Sequence, residues 1–471
     1  MMIELISVTN NNVKHYAAVG ITAAELPVKD LGTGSECKML DTGKKYIFFE
    51  GSRSWYEEPS GSGGGGGGEV KAALSIHPEL VNFIDYEGTV VEQWNLDSLP
   101  EKTELPAFPE HAGLTAQGWN WTLEDIQDFG KPNVVGMLYV TDDGWSRFYL
   151  DIDERREIAV LVTISGVHDI VVDWGDGTKE TVTIEYSKVL KHVYPSSREF
   201  ILRINGNGAN YGISYIRYYD PVTGEDIRNT YYGIVRKIES GQGMGFNTSA
   251  FQYAVSLGTV SFPEDLKNLG VEAFAGSGLR AAVLPKGIKT LFNSIFNEAR
   301  WLEVFSLPRE LQKMGYKMFC KCRSLTFAVV PDRVTTIDSS EFADCSMLEA
   351  AVLGDAISSG GGALFSCCMK LKSVTLPEGL TQLPGQAFYY CASLQKVTVG
   401  SKVTAIANTS FSACKVLKEL TFLTADPPVG ANGMFVDLAA GFVIRVPKGS
   451  GEAYKSAEFW SDYADNIVEM E

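Results

Sequence analysis

Five of the 8 cysteines in the sequence recur with a constant spacing of 23 residues. They are Cys322, Cys345, Cys368, Cys391 and Cys414. Thiols at such a spacing could form a series of disulfides or a string of metal sites. A metal site would need nearby histidines or a Cys-x-x-Cys pair, and the repeated segments contain neither. Because alanine replaces cysteine at Ala254 and Ala299, we interpret this position as one for a small, buried side chain. We expect all the thiols to be free, since a chain made in the cytosol stays reduced.

Asp173 and Asp176 form a second candidate site, because they lie on the same turn. Carboxylates are calcium ligands, so the pair could hold a metal ion. Aspartates in turns more often accept hydrogen bonds from backbone amides. The two residues are therefore weak metal candidates, and the sequence predicts no cofactor.

The 5 histidines are scattered and offer no catalytic arrangement. None lies in a nucleophile or metalloprotease signature. Carboxylate pairs like those of glycosidases occur in any acidic chain of this length. Trp119, Trp121 and Trp145 could form a carbohydrate platform, although such residues more often belong to a core. We predict that the protein is not an enzyme, with a glycan-active enzyme carrying a repeat appendage as a less favoured alternative.

The net charge of the chain limits the classes of partner that it can bind. The 471 residues carry a net charge of −17, from 41 basic and 58 acidic side chains. Such a surface repels phosphate backbones, so we expect no nucleic-acid partner. The N-terminus has neither a basic segment nor an apolar segment typical of a signal peptide. No apolar run is long enough for a membrane span. We therefore expect a chain that is made in the cytoplasm and leaves it, if at all, on another particle.

The spacing of 23 residues also predicts the architecture, because a fixed period of this size is typical of a solenoid. Each cysteine follows an aromatic residue by three positions and precedes a leucine by three. In the last six repeats the aromatic residues are Phe296, Phe319, Phe342, Phe365, Phe388 and Phe411. The same frame starts upstream at Phe251 and Phe274, which predicts eight coils over residues 236–430. Their short strands should stack in parallel about 4.8 Å apart.

These repeats resemble the BspA-like leucine-rich repeats, whose consensus contains L-x-x-V-x-L-P and A-F-x-x-C. The match extends over nearly 200 residues. Residues 431–471 resemble the terminal coil and cap of the same family. The resemblance implies a solenoid with a C-terminal cap and an adhesive role for its outer faces. A cap is needed because the last coil would otherwise expose its hydrophobic cross-section.

The middle of the chain carries a different motif. A turn sequence is followed, further on, by a histidine and a tyrosine, at Asp173, Trp174, Gly175, Asp176, Gly177, His192 and Tyr194. This pattern resembles the PKD family of immunoglobulin-like β-sandwiches. The resemblance implies a sandwich over residues 151–235 that acts as a spacer. Before it, residues 71–150 predict a small β-rich module with a short helix, for which Thr122 is the expected N-cap.

Residues 1–58 predict a small β module with a tight hairpin. Its motif residues include Asp41, Gly43, Tyr46 and Trp55. They resemble structural modules of tailed bacteriophages, which implies attachment to a particle. Residues 59–70 contain six consecutive glycines and predict a flexible linker. The fold class is thus mainly β and multidomain.

Together these features predict a bacteriophage virion surface protein, fibre-like or decoration-like. The N-terminal module would contact other virion proteins, and the repeats would contact a host-surface protein or glycan. Fibre-like virion proteins are often trimers, so a homotrimer is one candidate for the oligomeric state, which the sequence leaves open. The alternative is a bacterial cell-surface adhesin with a non-standard export signal.

Overall fold

Short apolar strands separated by turns form most of the chain, and helices account for only about 6% of it. The computed structural model describes residues 74–220, 223 and 234–471, together with the backbone of five N-terminal strands. It confirms the predicted fold class, which is mainly β with a C-terminal solenoid. The predicted linker over 59–70 and the motif residues Asp41 and Gly43 lie outside the described residues.

The five N-terminal strands form one sheet in sequence order. Their bounds are β1 (Met2–Val8), β2 (Lys14–Val19), β3 (Glu36–Met39), β4 (Lys45–Phe49) and β5 (Ser54–Glu57). The predicted hairpin is present, because β4 and β5 pair in antiparallel orientation with Phe48 opposite Trp55. Tyr46 lies on β4, opposite Glu57.

Residues 74–141, called here the cover module, contain a four-stranded sheet in the order β7-β6-β9-β8. The strands are β6 (Val81–Ile84), β7 (Val90–Trp94), β8 (Leu114–Trp119) and β9 (Asn133–Thr141), with a 3-10 helix at Leu96–Glu101 and α1 at Leu123–Phe129. Thr122 caps α1 as predicted. The Thr122 hydroxyl accepts a hydrogen bond from the backbone amide of Asp125. In return, the Asp125 carboxylate accepts a hydrogen bond from the backbone amide of Thr122. Gly130 ends the helix in a left-handed conformation, which glycine adopts without steric cost.

The middle strands belong to a sheet that runs into the solenoid. Its strands are β10 (Ser146–Ile152), β11 (Glu157–Asp173), β12 (Lys179–Val193), β13 (Arg198–Asn205), β14 (Tyr211–Tyr218), β15 (Val235–Glu239), β16 (Met244–Phe246) and β17 (Thr259–Ser261). β10 crosses the predicted domain boundary at residue 150 and pairs with β13 and β15. β14 and β15 then pair in parallel with β16 and β17, and one hydrophobic core runs through both units. The middle unit therefore covers the first end of the solenoid.

The solenoid has about 10 turns. One side of each coil contributes a strand to a parallel sheet face, at β18 (Ala281–Val283), β19 (Val304–Ser306), β20 (Phe327–Val330), β22 (Ala350–Leu353), β24 (Ser373–Thr375), β26 (Lys396–Val399) and β28 (Glu419–Phe422). A second side carries two-residue strands at β21 (Thr336–Ile337), β23 (Ser359–Gly360), β25 (Gln382–Leu383) and β27 (Ala405–Ile406). Paired strands are offset by 23 residues, as the repeat predicts.

The C-terminal residues close the last coil. Two further strands, β29 (Val443–Val446) and β30 (Ile467–Glu469), extend the sheet, and α2 (Gly451–Ser456) precedes a 3-10 helix at Ser461–Asn466. Trp460 is fully buried, and its indole donates a hydrogen bond to the carbonyl of Pro428. In the described part of the chain, no helix has the length and apolar character of a membrane span.

Candidate binding surface on the solenoid sheet

The repeated phenylalanines and cysteines form the interior of the coils and are inaccessible to a partner. The rings of successive coils stack, with centroids 5.7 Å apart between Phe319 and Phe342 and 5.6 Å apart between Phe365 and Phe388. The repeat residues that have no exposed area are Phe296, Phe319, Phe342, Phe365, Phe388, Phe411, Cys322, Cys345, Cys368, Cys391 and Cys414. They hold the coils in register.

Each repeat thiol also donates a hydrogen bond, a contact that the 23-residue spacing does not predict. The Sγ of Cys368 lies 3.0 Å from the carbonyl oxygen of Phe342, and the Sγ of Cys345 lies 3.1 Å from that of Phe319. Cys322, Cys391 and Cys414 repeat this contact, always to a residue 26 positions earlier. Burial raises the pKa of the Cys368 thiol well above its usual value. The seven cysteines outside the N-terminal strands are free, and the side chain of Cys37 is outside the described residues.

The turn motif of the middle unit is held together internally. The rings of Trp174 and His192 stack at 4.5 Å, and His192 Nε2 lies 2.8 Å from Asp176 Oδ2. The hydroxyl of Tyr194 donates to the carbonyl of Trp174 at 3.0 Å. Gly175 lies so close to β13 that a Cβ would be 2.3 Å from the carbonyl oxygen of Ile201. The motif thus fixes a loop against the sheet.

Both candidate calcium ligands accept backbone amides in that loop. The Asp173 carboxylate accepts a hydrogen bond from the backbone amide of Gly175 at 3.0 Å. The Asp176 carboxylate accepts one from the backbone amide of Thr178 at 2.9 Å. Burial alone would raise the pKa of Asp176, but the Thr178 amide and His192 lower it below its ordinary value. Among the described residues, no group of three or more His, Cys, Asp or Glu side chains could hold a metal ion.

The three tryptophans do not share a surface. Trp119 and Trp121 are buried, whereas Trp145 is half-buried under the ammonium group of Lys179. Trp119 donates to the carbonyl of Pro106 within the cover module. Trp121 instead donates to the carbonyl of Leu307, on the solenoid, at 2.7 Å. This last contact shows where the cover module lies.

The cover module packs on the sheet face of the solenoid and hides its first half. Outward-facing side chains from four successive strands belong to the hydrophobic core of the module, at Ala281, Val283, Val304, Phe327, Val329, Ala350 and Val352. The backbones approach closely, since a Cβ on Gly136 would lie 2.3 Å from a methyl carbon of Val283. We call these strands, β18, β19, β20 and β22, the covered half.

Polar groups fix the position of the module on the covered half. The amide of Asn120 donates to the carbonyl of Leu284 at 3.0 Å and to the hydroxyl of Ser306 at 2.9 Å. The guanidinium group of Arg309 bonds to Asp332 and to the backbone carbonyl of Asp125 at the start of α1. Because the buried polar groups are matched in pairs, the interface specifies one arrangement.

The next strands of the same sheet carry polar outward-facing residues, which are exposed on β24 and β26 and half-buried on β28 and β29. Their outward-facing residues are Ser373, Thr375, Lys396, Thr398, Glu419, Thr421 and Arg445, and we call this surface the open face. Thr375, Thr398 and Thr421 occupy equivalent positions on successive strands, and so do Ser373, Lys396 and Glu419. The open face is a flat array of hydroxyl and charged groups on a rigid support.

Glu419 lies at the centre of the charges on the open face. Arg445 Nε is 2.7 Å from one of its carboxylate oxygens, and Lys396 Nζ is 3.2 Å from the other. Hydrogen bonds from Arg445 and then from Lys396 lower the pKa of Glu419 below its usual value. The two cations therefore stabilise the ionised form of this carboxylate.

The change from the covered half to the open face is visible in the sequence when equivalent strand positions of the repeats are aligned. The two outward positions of each strand read Ala-Val, Val-Ser, Phe-Val and Ala-Val over the covered half, and Ser-Thr, Lys-Thr and Glu-Thr over the open face. An apolar outward face on a solenoid strand indicates a surface that is covered. That signal could have placed the cover module.

Comparison with known families supports the repeat assignment. Residues 244–349 and 337–426 match the model of the BspA type leucine-rich repeat region, in six copies. Residues 244–426 thus carry leucine-rich repeats of the BspA type. No curated protein matches the chain. The PKD-like and phage-type resemblances stay predictions.

Solved structures of several leucine-rich repeat proteins are similar to the chain. A leucine-rich repeat protein from Bacteroides ovatus is 18% identical, over 56% of this chain and 96% of its own, with a TM-score of 0.25. A leucine-rich cell surface protein from Faecalibacterium prausnitzii is 16% identical, over 46% and 79%, with a TM-score of 0.25. A leucine-rich repeat protein from T. pallidum is 23% identical, over 35% and 67%, with a TM-score of 0.27.

Proposed function

We propose that the protein is a non-enzymatic adhesion and display protein whose open face binds a protein or glycan on a host or mucosal surface. The observation that carries this proposal is the difference between the two halves of one sheet face. The first half is mainly apolar and is covered by the chain itself, whereas the second is polar and no described residue of the cover module packs on it.

The stacked interior makes the open face a suitable binding surface. Side chains on adjacent parallel strands lie about 4.8 Å apart, so the hydroxyl and charged groups form a regular array. A surface held by a packed core loses little conformational entropy on binding. Its mixture of threonine hydroxyls and paired charges suits a polar partner that also forms hydrogen bonds.

The experiment measures binding of the full chain to mucin-coated and epithelial-cell surfaces. The double variant Thr398→Arg/Thr421→Arg places two bulky cations on the open face and should weaken binding about tenfold, through steric and charge mismatch. Ser401→Arg, at an exposed turn beyond β26, adds a cation elsewhere on the same coil and serves as the control. Equal binding by both variants, or no binding by the unmodified chain, would contradict the proposal.

We further propose that the chain is displayed on a bacteriophage particle, with the module of residues 1–58 contacting other virion proteins. The motif of Asp41, Gly43, Tyr46 and Trp55, together with the β4–β5 hairpin, supports this attachment. Display on a bacterial cell is the alternative. Mass spectrometry of purified virions should detect the chain, and its presence only among peptides shaved from bacterial cells would favour the alternative. Light scattering of the full chain tests whether it forms a trimer.

A further inference from the structure

A groove of about 830 Å³ lies where the middle unit meets the first coils of the solenoid. It is separate from the open face, which begins at β24. Strands β11, β14 and β16 form its floor, and its lining includes Thr163, Gly212, Asn247 and Asn268. Ligand sites occur preferentially at such junctions between structural units, and this volume is in their usual range.

Two exposed aromatic side chains line the groove. Tyr186, on β12, is 67% exposed, and Phe292, in the solenoid, is 44% exposed. Tyr186 also has a φ of 63°, which is unfavourable for a residue with a Cβ. It lies opposite the irregular segment of β11 between Thr163 and Val167. Because most of the Tyr186 ring is exposed, packing of the ring does not compensate for the unfavourable backbone conformation. The strain therefore points to a role of this residue in binding.

The lining mixes apolar residues with polar groups and carries no net charge. The amide of Asn247 donates to the hydroxyls of Thr163 at 2.7 Å and Ser214 at 2.8 Å. A Cβ on Gly212 would lie 2.7 Å from Asn247 Oδ1, so glycine lets this amide sit close to the strand. Among the described residues of the lining, the charged ones are Asp265 and Lys267, whose charges cancel. The groove therefore offers hydroxyl, amide and backbone groups rather than net charge.

We propose that this junction groove binds a neutral oligosaccharide. Sugar rings have apolar C–H faces that pack on aromatic rings and hydroxyl groups that bond to amides and hydroxyls. An anionic ligand would find no net positive charge here. Tyr186 and Phe292 supply the stacking surfaces, and the floor that includes Thr163 and Asn268 supplies the hydrogen bonds.

The test uses the full chain and a printed array of short linear neutral oligosaccharides of hexose and N-acetylhexosamine, followed by calorimetry with the strongest binder. Tyr186→Ala and Phe292→Ala should each lower the association constant about tenfold. Tyr186→Phe, which keeps the ring, should retain most of the affinity. Tyr316→Ala is the matched control, because Tyr316 is 43% exposed but does not line the groove.

A further variant separates binding from folding. Tyr186→Asn removes the ring and places a residue that tolerates positive φ, so the melting temperature should not fall while oligosaccharide binding is lost. The open-face variant Thr398→Arg/Thr421→Arg should bind the oligosaccharide normally, which keeps this proposal distinct from the adhesion proposal. Absence of binding to every neutral oligosaccharide, unchanged binding by Tyr186→Ala, or preference for peptides over sugars would overturn it.

Discussion

The covered half and the open face lie on the same side of one sheet and are built from the same repeat, yet their surfaces differ in polarity. Their inward-facing residues are alike, with leucine, phenylalanine and a small residue in each coil. The two outward positions of each strand differ, since under the cover module they are apolar except at Ser306 and beyond it they are polar. The repeat therefore determines the shape of the solenoid, while the outward positions determine what each stretch of it contacts.

The prediction with the largest expected effect tests whether the interior of the coils is packed equally well beneath the covered half and beneath the open face. Phe319→Ala, beneath the covered half, and Phe388→Ala, beneath the open face, should each lower the free energy of unfolding by about 4 kcal/mol. Both rings are fully buried and stacked between neighbours, so each leaves a cavity of similar size. Chemical denaturation of the full chain measures the solenoid transition. A much smaller loss for Phe388→Ala would show that the interior is not uniform.

The next prediction tests the outward positions directly. Val329 lies under the cover module and is 4% exposed, whereas Thr398 is the equivalent residue on the open face, three repeats later. Val329→Asp should cost about 3 kcal/mol, because it buries a polar group with no partner. Thr398→Asp should change stability by less than about 0.5 kcal/mol. Similar losses for the two variants would mean that the cover module does not seal the covered half in solution.

The local features of this fold were predictable, and the long-range ones were not. The 23-residue period located the coils, and Thr122 with Asp125 located the start of α1, because both signals come from neighbouring residues. Asn120 and Trp121 bond to residues of the solenoid 164 and 186 positions away. Such contacts depend on how separate units pack. The sequence predicted residues 71–150 as a separate small module, whereas the cover module folds back on the coils.

The same limit applies to the candidate site. The motif of Asp173 and Asp176 was recognised, but the sequence did not show that both carboxylates are used by backbone amides. The buried thiols were recognised as packing groups, but their hydrogen bonds depend on the position of the preceding coil. The open face can be recognised from the sequence only when equivalent outward positions are compared across the repeats.

A third prediction concerns Glu341, a fully buried carboxyl group beneath the covered half. One of its oxygens accepts the amide of Met318 at 2.8 Å, and the other has no hydrogen-bond partner among the described residues. Burial raises the pKa of this carboxyl well above 4.5, although the Met318 amide opposes the shift. The folded chain thus keeps a proton that the unfolded chain releases, so the free energy of unfolding should fall as the pH rises above 4.5.

Glu341→Met removes that dependence and copies the residue one repeat earlier, Met318. At about pH 8 the variant should be more stable than the unmodified chain by about 1–2 kcal/mol, and at about pH 5 the difference should shrink. Denaturation curves at the two pH values measure this. A stability difference that does not change with pH would show that Glu341 does not titrate as its burial implies.

The smallest expected effect concerns the charges on the two halves. On the open face, Lys396→Met removes one partner of Glu419 but leaves Arg445, so stability should fall by about 0.5 kcal/mol or less, and salt should abolish the difference. Arg309→Met is the comparison under the cover module, where the guanidinium group is 10% exposed and joins Asp332 to α1. Its loss should be larger and should persist in salt, because buried pairs are screened less. If salt abolished both effects, the polar contacts of the cover module would be as exposed as those of the open face.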